Sequence, residues 1–200
     1  MLNRRLVSLA AASVLLAACG QVHPGQAAVV DGVPISMKRV DTTARIYCRL
    51  LPGSASANGP IPYATVRRQA VSDLVFAVVA RNLAAERHLD VAAAEFALTA
   101  HEIAIVRRRL HARQVSAAIT VAEQNGRTYA IADRLGRKKG RSAEMAREAG
   151  LRIIARAASS RRVHVDPRFG VGVDSPSTLS VHDDAFQGSA ATSATQVCQV

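Results

Sequence analysis

Tryptophan is absent from these 200 residues, and aromatic residues of all kinds make up 4% of them. A core without large aromatic anchors has to be built from Leu, Val, Ile and Ala. Apolar residues are 49% of the chain, much of it alanine, which points to helices. Acidic side chains are also few: 15 Asp and Glu stand against 26 Lys and Arg, for a formal charge of +11. No Gly-rich phosphate loop is present, because Gly136-Arg137-Lys138-Lys139-Gly140 has the wrong spacing and follows no clear strand. No nucleophile-elbow pattern surrounds any serine. The six histidines are scattered, and His101-Glu102 lacks the second histidine of a zincin, so neither a metal nor another cofactor is expected.

No apolar run is long enough to span a bilayer as a helix; the one near the N-terminus covers residues 6–16 only. It follows Arg4 and Arg5 and leads into Leu16-Ala17-Ala18-Cys19-Gly20, the three-part layout of an export signal over residues 1–18. Those five residues resemble the bacterial lipobox. The resemblance implies cleavage before Cys19, a diacylglycerol thioether on its sulfur, and an address on the outer face of a bacterial membrane. Two acyl chains hold where one would be marginal, at about 0.8 kcal/mol per buried CH₂. Residues 19–26, with Pro24 and Gly25, then form a flexible tether.

Removal of residues 1–18 takes away Arg4 and Arg5 and no acid, leaving 24 basic residues against 15 acidic ones, or +9. Outside the membrane, a basic field meets lipid headgroups, acidic envelope polymers and acidic polypeptides, and nucleic acid is not expected as a partner. The candidate anion-binding residues are Arg107, Arg108, Arg109, Arg137, Lys138 and Lys139; the alternative is that these charges only solvate helix faces.

The remaining length suits one domain, over residues 27–172. Ala28-Val29-Val30 and Val33-Pro34-Ile35 flank Asp31-Gly32, a pair that accepts positive φ in a tight turn. Ser36 is placed to cap a helix with Val40, Ala44, Tyr47 and Leu51 on one face, ending near Pro52-Gly53. A loop to Pro62 follows, and then a central helix from Tyr63 to about His88, with Val71, Leu74, Val75, Val78, Val79 and Leu83 as its stripe.

After a break at Leu89-Asp90, the spacing of Phe96, Thr99, Ile103, Val106 and Leu110 predicts a second long helix packed antiparallel on the first. Leu74, Val78, Phe96, Ile103 and Leu110 are the candidate apolar face, serving either the core or a bound polypeptide. Gly126, Gly136 and Gly140 are expected to interrupt residues 115–141, leaving a short helix over 128–135. Ser142 then caps a helix to about Ser159, with Met145, Ala149, Ile153 or Ile154 and Ala157 inward. Residues 161–165 alternate as a strand whose natural partner is the one at Ala28, and Asp166-Pro167 stops it.

The fold class expected is therefore mainly α, closed by pairing of an N-terminal and a C-terminal strand. Residues 173–200 are polar, lack a period and are expected to be a disordered tail. Cys48 and Cys198 lie in an oxidising compartment, but nothing in the sequence brings them together.

Two segments resemble one family. Ala28-Val29-Val30-Asp31-Gly32-Val33-Pro34-Ile35-Ser36, followed by Val40, looks like the opening of SurA-like N-terminal chaperone domains, also found in PrsA-type foldases and exported lipoproteins. Val163-His164-Val165-Asp166-Pro167-Arg168-Phe169-Gly170 looks like the closing strand and turn of the lipoprotein branch. The resemblance implies a helical SurA-like module that holds unfolded or extended exported polypeptides. A prolyl isomerase domain does not fit in the chain, so isomerase activity is not expected. The alternative is a structural or adaptor lipoprotein that binds one folded partner or an anionic envelope polymer.

Overall fold

A computed structural model of the chain describes residues 23–50, 55–56, 59–175, 178–181 and 198. Cys19, the expected signal segment and residues 19–22 of the expected tether lie outside the described residues; of its remaining four, Gln26 already belongs to a strand. The fold is mainly helical with a small antiparallel sheet.

Strand β1 (Gln26–Val30) turns through Asp31 and Gly32, both at positive φ, into β2 (Val33–Ser36). Val30 pairs with Val33, so the loop is the two-residue turn that an Asp-Gly pair favours. The Ser36 hydroxyl accepts the Arg39 amide at 3.2 Å and starts α1 (Met37–Leu50), whose Val40, Ala44 and Ile46 are buried. Two short strands, β3 (Ala55–Ser56) and β4 (Gly59–Pro60), pair before α2 (Tyr63–Glu86). Helix α2 is the buried spine: Val71, Val75 and Val79 are fully enclosed.

The expected long helix from Phe96 to Leu110 is not formed, nor is a hairpin with α2. A 3₁₀ turn (Ala93–Glu95) precedes a short α3 (Ala100–Arg109). Thr99 and Glu102 set that start as a capping box: the Glu102 amide donates to the Thr99 hydroxyl at 3.3 Å, and the Thr99 amide donates to the Glu102 carboxylate at 2.8 Å. Helix α3 packs on α1 and α4.

The expected interruption of residues 115–141 is also overturned. One continuous helix, α4 (Ala112–Gly136), runs through Gly126. It forms the most extensive helix pair of the fold with α5 (Ala143–Ser160). The glycines mark close approach, not breaks. A Cβ on Gly150 would run into the Ala132 backbone carbonyl, one on Gly136 into that of Ala146, and one on Gly140 into the Ala146 backbone. Ala132 and Gly136 on one helix therefore mesh with Ala146 and Gly150 on the other, each pair four residues apart on one face. Ser142 caps α5 through the Met145 amide, as expected, but Met145 itself is exposed; the cap sets the phase so that Ala146, Gly150, Ile154 and Ala158 point inward.

Strand β5 (Val163–Val165) pairs antiparallel with β1, Val29 opposite His164, and the sheet order is β2-β1-β5. The ends of the domain meet here as the sequence indicates. Asp166 caps a following 3₁₀ turn, Pro167 fills its first position, Phe169 is buried, and Gly170 takes the left-handed φ of 58°. Arg161 ties the closure together: its guanidinium donates to Asp31 at 2.7 Å and to Glu86 at 2.6 Å.

The tail differs from the expectation of disorder in its described parts. Strand β6 (Val171–Ser175) pairs with β7 (Thr178–Val181). Cys198 is buried and disulfide-bonded to Cys48, with Cα atoms 5.2 Å apart, and its amide donates to the Ile61 carbonyl at 3.2 Å.

Three of the shifted carboxyl groups bear on the acid response, two through ion pairs with arginine and one through burial. Arg161 holds Asp31, and Arg168 holds Asp166, below the ordinary value of 3.8. Both contribute stability that is complete above 3.8 and is lost as pH falls through their lower folded values. Burial acts oppositely on Asp73, raising it above 3.8, so its ionisation at higher pH costs stability. Wild type is therefore expected to weaken steeply below pH 4, whereas Asp73→Asn gains on wild type as pH rises from 4 to 7. Thermal unfolding across pH 3 to 7 checks both; a constant difference between the two proteins would be contrary to this account.

Candidate functional site

The expected apolar face does not emerge as one surface. Leu74 and Val78 are each only 2% exposed and belong to the main core, where α2 is covered by α1, α4 and α5. Leu110 is buried in a second, smaller cluster with Ile46, Val106 and Ala118, while Ile103 is half-buried. Phe96 is half-buried against α4, its carbonyl oxygen 3.1 Å from where a Gly126 Cβ would stand. Packing has consumed most of the stripe.

The basic candidates separate too. Arg107, Arg108 and Arg109 form the exposed last turn of α3, where Arg109 donates to the Leu50 carbonyl at the end of α1, 3.1 Å away. Arg137, Lys138 and Lys139 follow the far end of α4, also exposed. A helix of 25 residues stands between the groups, a span of about 37 Å at 1.5 Å per residue. They are two patches.

A groove that the sequence did not disclose lies between α1, α2 and α4. Its volume is about 440 Å³, within the range of ligand sites. Leu50, Ile61 and Val66 provide apolar walls, and Tyr47, Gln69, Asp73 and Asn125 provide polar groups. The polar groups are wired in series. Asn125 Nδ2 donates to the Tyr47 hydroxyl at 2.8 Å, Tyr47 donates to Asp73 Oδ2 at 2.7 Å, and Gln69 Nε2 donates to Asp73 Oδ1 at 2.8 Å. Asp73 and Asn125 also line a smaller adjoining cavity with Phe76, Tyr129 and Leu151.

Burial drives the electrostatics of this chain. It pushes the Asp73 carboxyl up, against the lowering effect of the two hydrogen bonds it accepts. Desolvation, reinforced by the Asp73 charge, pushes the Tyr47 phenol up still further, so Tyr47 stays protonated. It is a hydrogen-bond donor there, with no character of a base or nucleophile. The arrangement offers apolar contact plus amide and carboxyl groups of both polarities, which is the chemistry that accommodates a peptide backbone. Tyr47 was placed on the inner face of its helix by spacing alone. The available signal for the rest was Gln69 and Asp73, four residues apart, with Asp73 set into the run from Val71 to Val75.

Among the described residues no helix is long and apolar enough to cross a membrane, and no group of three or more His, Cys, Asp or Glu is placed to hold a metal ion. No protein-family model, curated protein or solved structure matches the chain.

Proposed function

We propose that this protein is an exported lipoprotein, anchored through Cys19, that holds extended or unfolded polypeptide in the α1–α2–α4 groove without performing chemistry on it. The observation that carries this reading is the groove itself, apolar walls over a linked set of backbone-like polar groups. A second feature supports it. The amide of Cys198 hydrogen-bonds the carbonyl of Ile61, a groove-lining residue, so main chain from elsewhere in the protein already pairs at the rim. The likeness of residues 28–36 and 163–170 to SurA-like domains agrees with such a role. The surplus of cations favours acidic clients by long-range attraction. Reading the protein as an adaptor for an anionic polymer is weakened by the separation of the basic candidates into two patches.

Stoichiometric protein is expected to slow aggregation of an unfolded model client. Leu50→Glu and Thr65→Arg alter half-buried and exposed lining positions, and each is expected to raise the concentration required about tenfold, equivalent to about 1.4 kcal/mol. Wild type without effect, or variants as active as wild type, would refute the assignment.

A further inference from the structure

We propose that a second cleft, where α2, α4 and α5 end, binds a phosphate-type anion carried on an apolar body, an anionic phospholipid headgroup. The cleft measures about 600 Å³. It is distinct from the groove: Val66 and Leu83, which line one and the other, are 17 residues apart on α2, about 26 Å.

Leu83, Leu135, Ile153 and Ala157 form its apolar part. Arg87 from the end of α2, Lys138 and Lys139 beyond α4, and Arg156 on α5 surround it, all exposed. None of these four pairs with an acid among the described residues. Arg161, a fifth lining cation, is occupied by Asp31 and Glu86.

A competing explanation is that the cations merely offset the helix C-termini that border the cleft, those of α2 and α5 at one end and that of α4 at the other. Each C-terminus carries about half a negative charge, roughly one and a half in all. Glu86 and Asp31 supply two more, against five cations. More than one positive charge is left over, so dipole compensation does not exhaust the set. Arginine grips phosphate oxygens with paired donors and lysine adds mobile charge, while the apolar side chains suit a glycerol or acyl portion. A lipid source, as opposed to a free anion, is favoured by those apolar side chains. It is also favoured by the anchor at Cys19, a point that rests on the lipoprotein reading.

The test uses the full chain with Cys19→Ser, oxidised, so that binding is measured without acylation. Calorimetric titration compares monomeric dihexanoyl phosphatidic acid, dihexanoyl phosphatidylcholine and inorganic phosphate. The phosphatidic acid is expected to bind about tenfold tighter than either of the others, and the triple variant Lys138→Gln, Lys139→Gln, Arg156→Gln to lose about tenfold. Arg107→Gln with Arg108→Gln should leave binding within about twofold, and so should the groove variant Leu50→Glu. No binding of the phosphatidic acid, or equal loss in the Arg107 and Arg108 variant, overturns the site. Inorganic phosphate binding as tightly overturns the lipid component, and equal binding of phosphatidylcholine overturns the anion requirement.

Discussion

Gly150→Ala is expected to lower the melting temperature by about 6 °C, although alanine is the better helix former. In an exposed helix interior that exchange would contribute about 1 kcal/mol of stability. At position 150 the new methyl group meets the Ala132 carbonyl, which belongs to the backbone of α4 and cannot rotate aside. The α4–α5 pair must part, and overpacking of this kind costs typically 1–3 kcal/mol. An approach of 1.8 Å to backbone puts the cost at the top of that range, and less the propensity gain the net loss is about 2 kcal/mol, or about 6 °C in a domain of this size. Gly126→Ala is the contrast. Its Cβ would stand 3.1 Å from the Phe96 carbonyl and 3.2 Å from the Phe96 Cβ, on a short turn that can yield. There propensity and crowding nearly cancel, and a change below about 1 kcal/mol is expected. Differential scanning calorimetry of the two variants separates packing from propensity; equal effects would deny the close crossing.

Loss of the disulfide is expected to cost more. Cys48 and Cys198 are 150 residues apart, so the bond closes a long loop that runs from the last turn of α1 to the tail. Chain-entropy reasoning gives about 5 kcal/mol for so long a loop, and removal of native disulfides commonly costs about 2–5 kcal/mol. Cys48→Ala should therefore lower stability by about 4 kcal/mol, or about 12 °C. Reduction of the wild-type protein should reproduce most of that loss, since the side-chain volume removed by alanine is small. Denaturant titration of oxidised, reduced and Cys48→Ala protein checks this; identical midpoints would show that the bond carries no stability.

What the sequence disclosed was what local chemistry dictates. Asp31-Gly32 demanded a tight turn, Ser36 and Ser142 were caps with amides waiting three residues on, and Asp166-Pro167 could only stop a strand. The β1–β5 pairing followed because β5, a short strand at the end of the domain, needed a partner and β1 keeps one edge free of β2. What stayed hidden was set by contacts between distant segments. Gly126 and Gly136 weaken a helix locally by about 1 kcal/mol, a penalty that helix packing outweighs. The repeat of Ala132 with Gly136 and Ala146 with Gly150 was visible in the sequence, but it has meaning only once two helices are known to cross. Thr99 and Glu102 likewise spelled a helix start inside what spacing alone made one long helix. The disulfide joins residues that no local pattern relates. The groove depends on α1, α2 and α4 bringing Tyr47, Asp73 and Asn125 together, and the basic cleft on residues of three helices lining one hollow, so neither could be read from one segment.

Site-specific photo-crosslinking in intact cells is the most direct test of polypeptide binding in the groove. A crosslinking side chain at Thr65, on the groove, is compared with one at Arg108, on the end of α3. Many unrelated exported polypeptides are expected to be captured at Thr65 and few at Arg108, with capture at Thr65 reduced by Leu50→Glu. A single recurrent folded partner at Thr65, or no capture there above the level at Arg108, would contradict it.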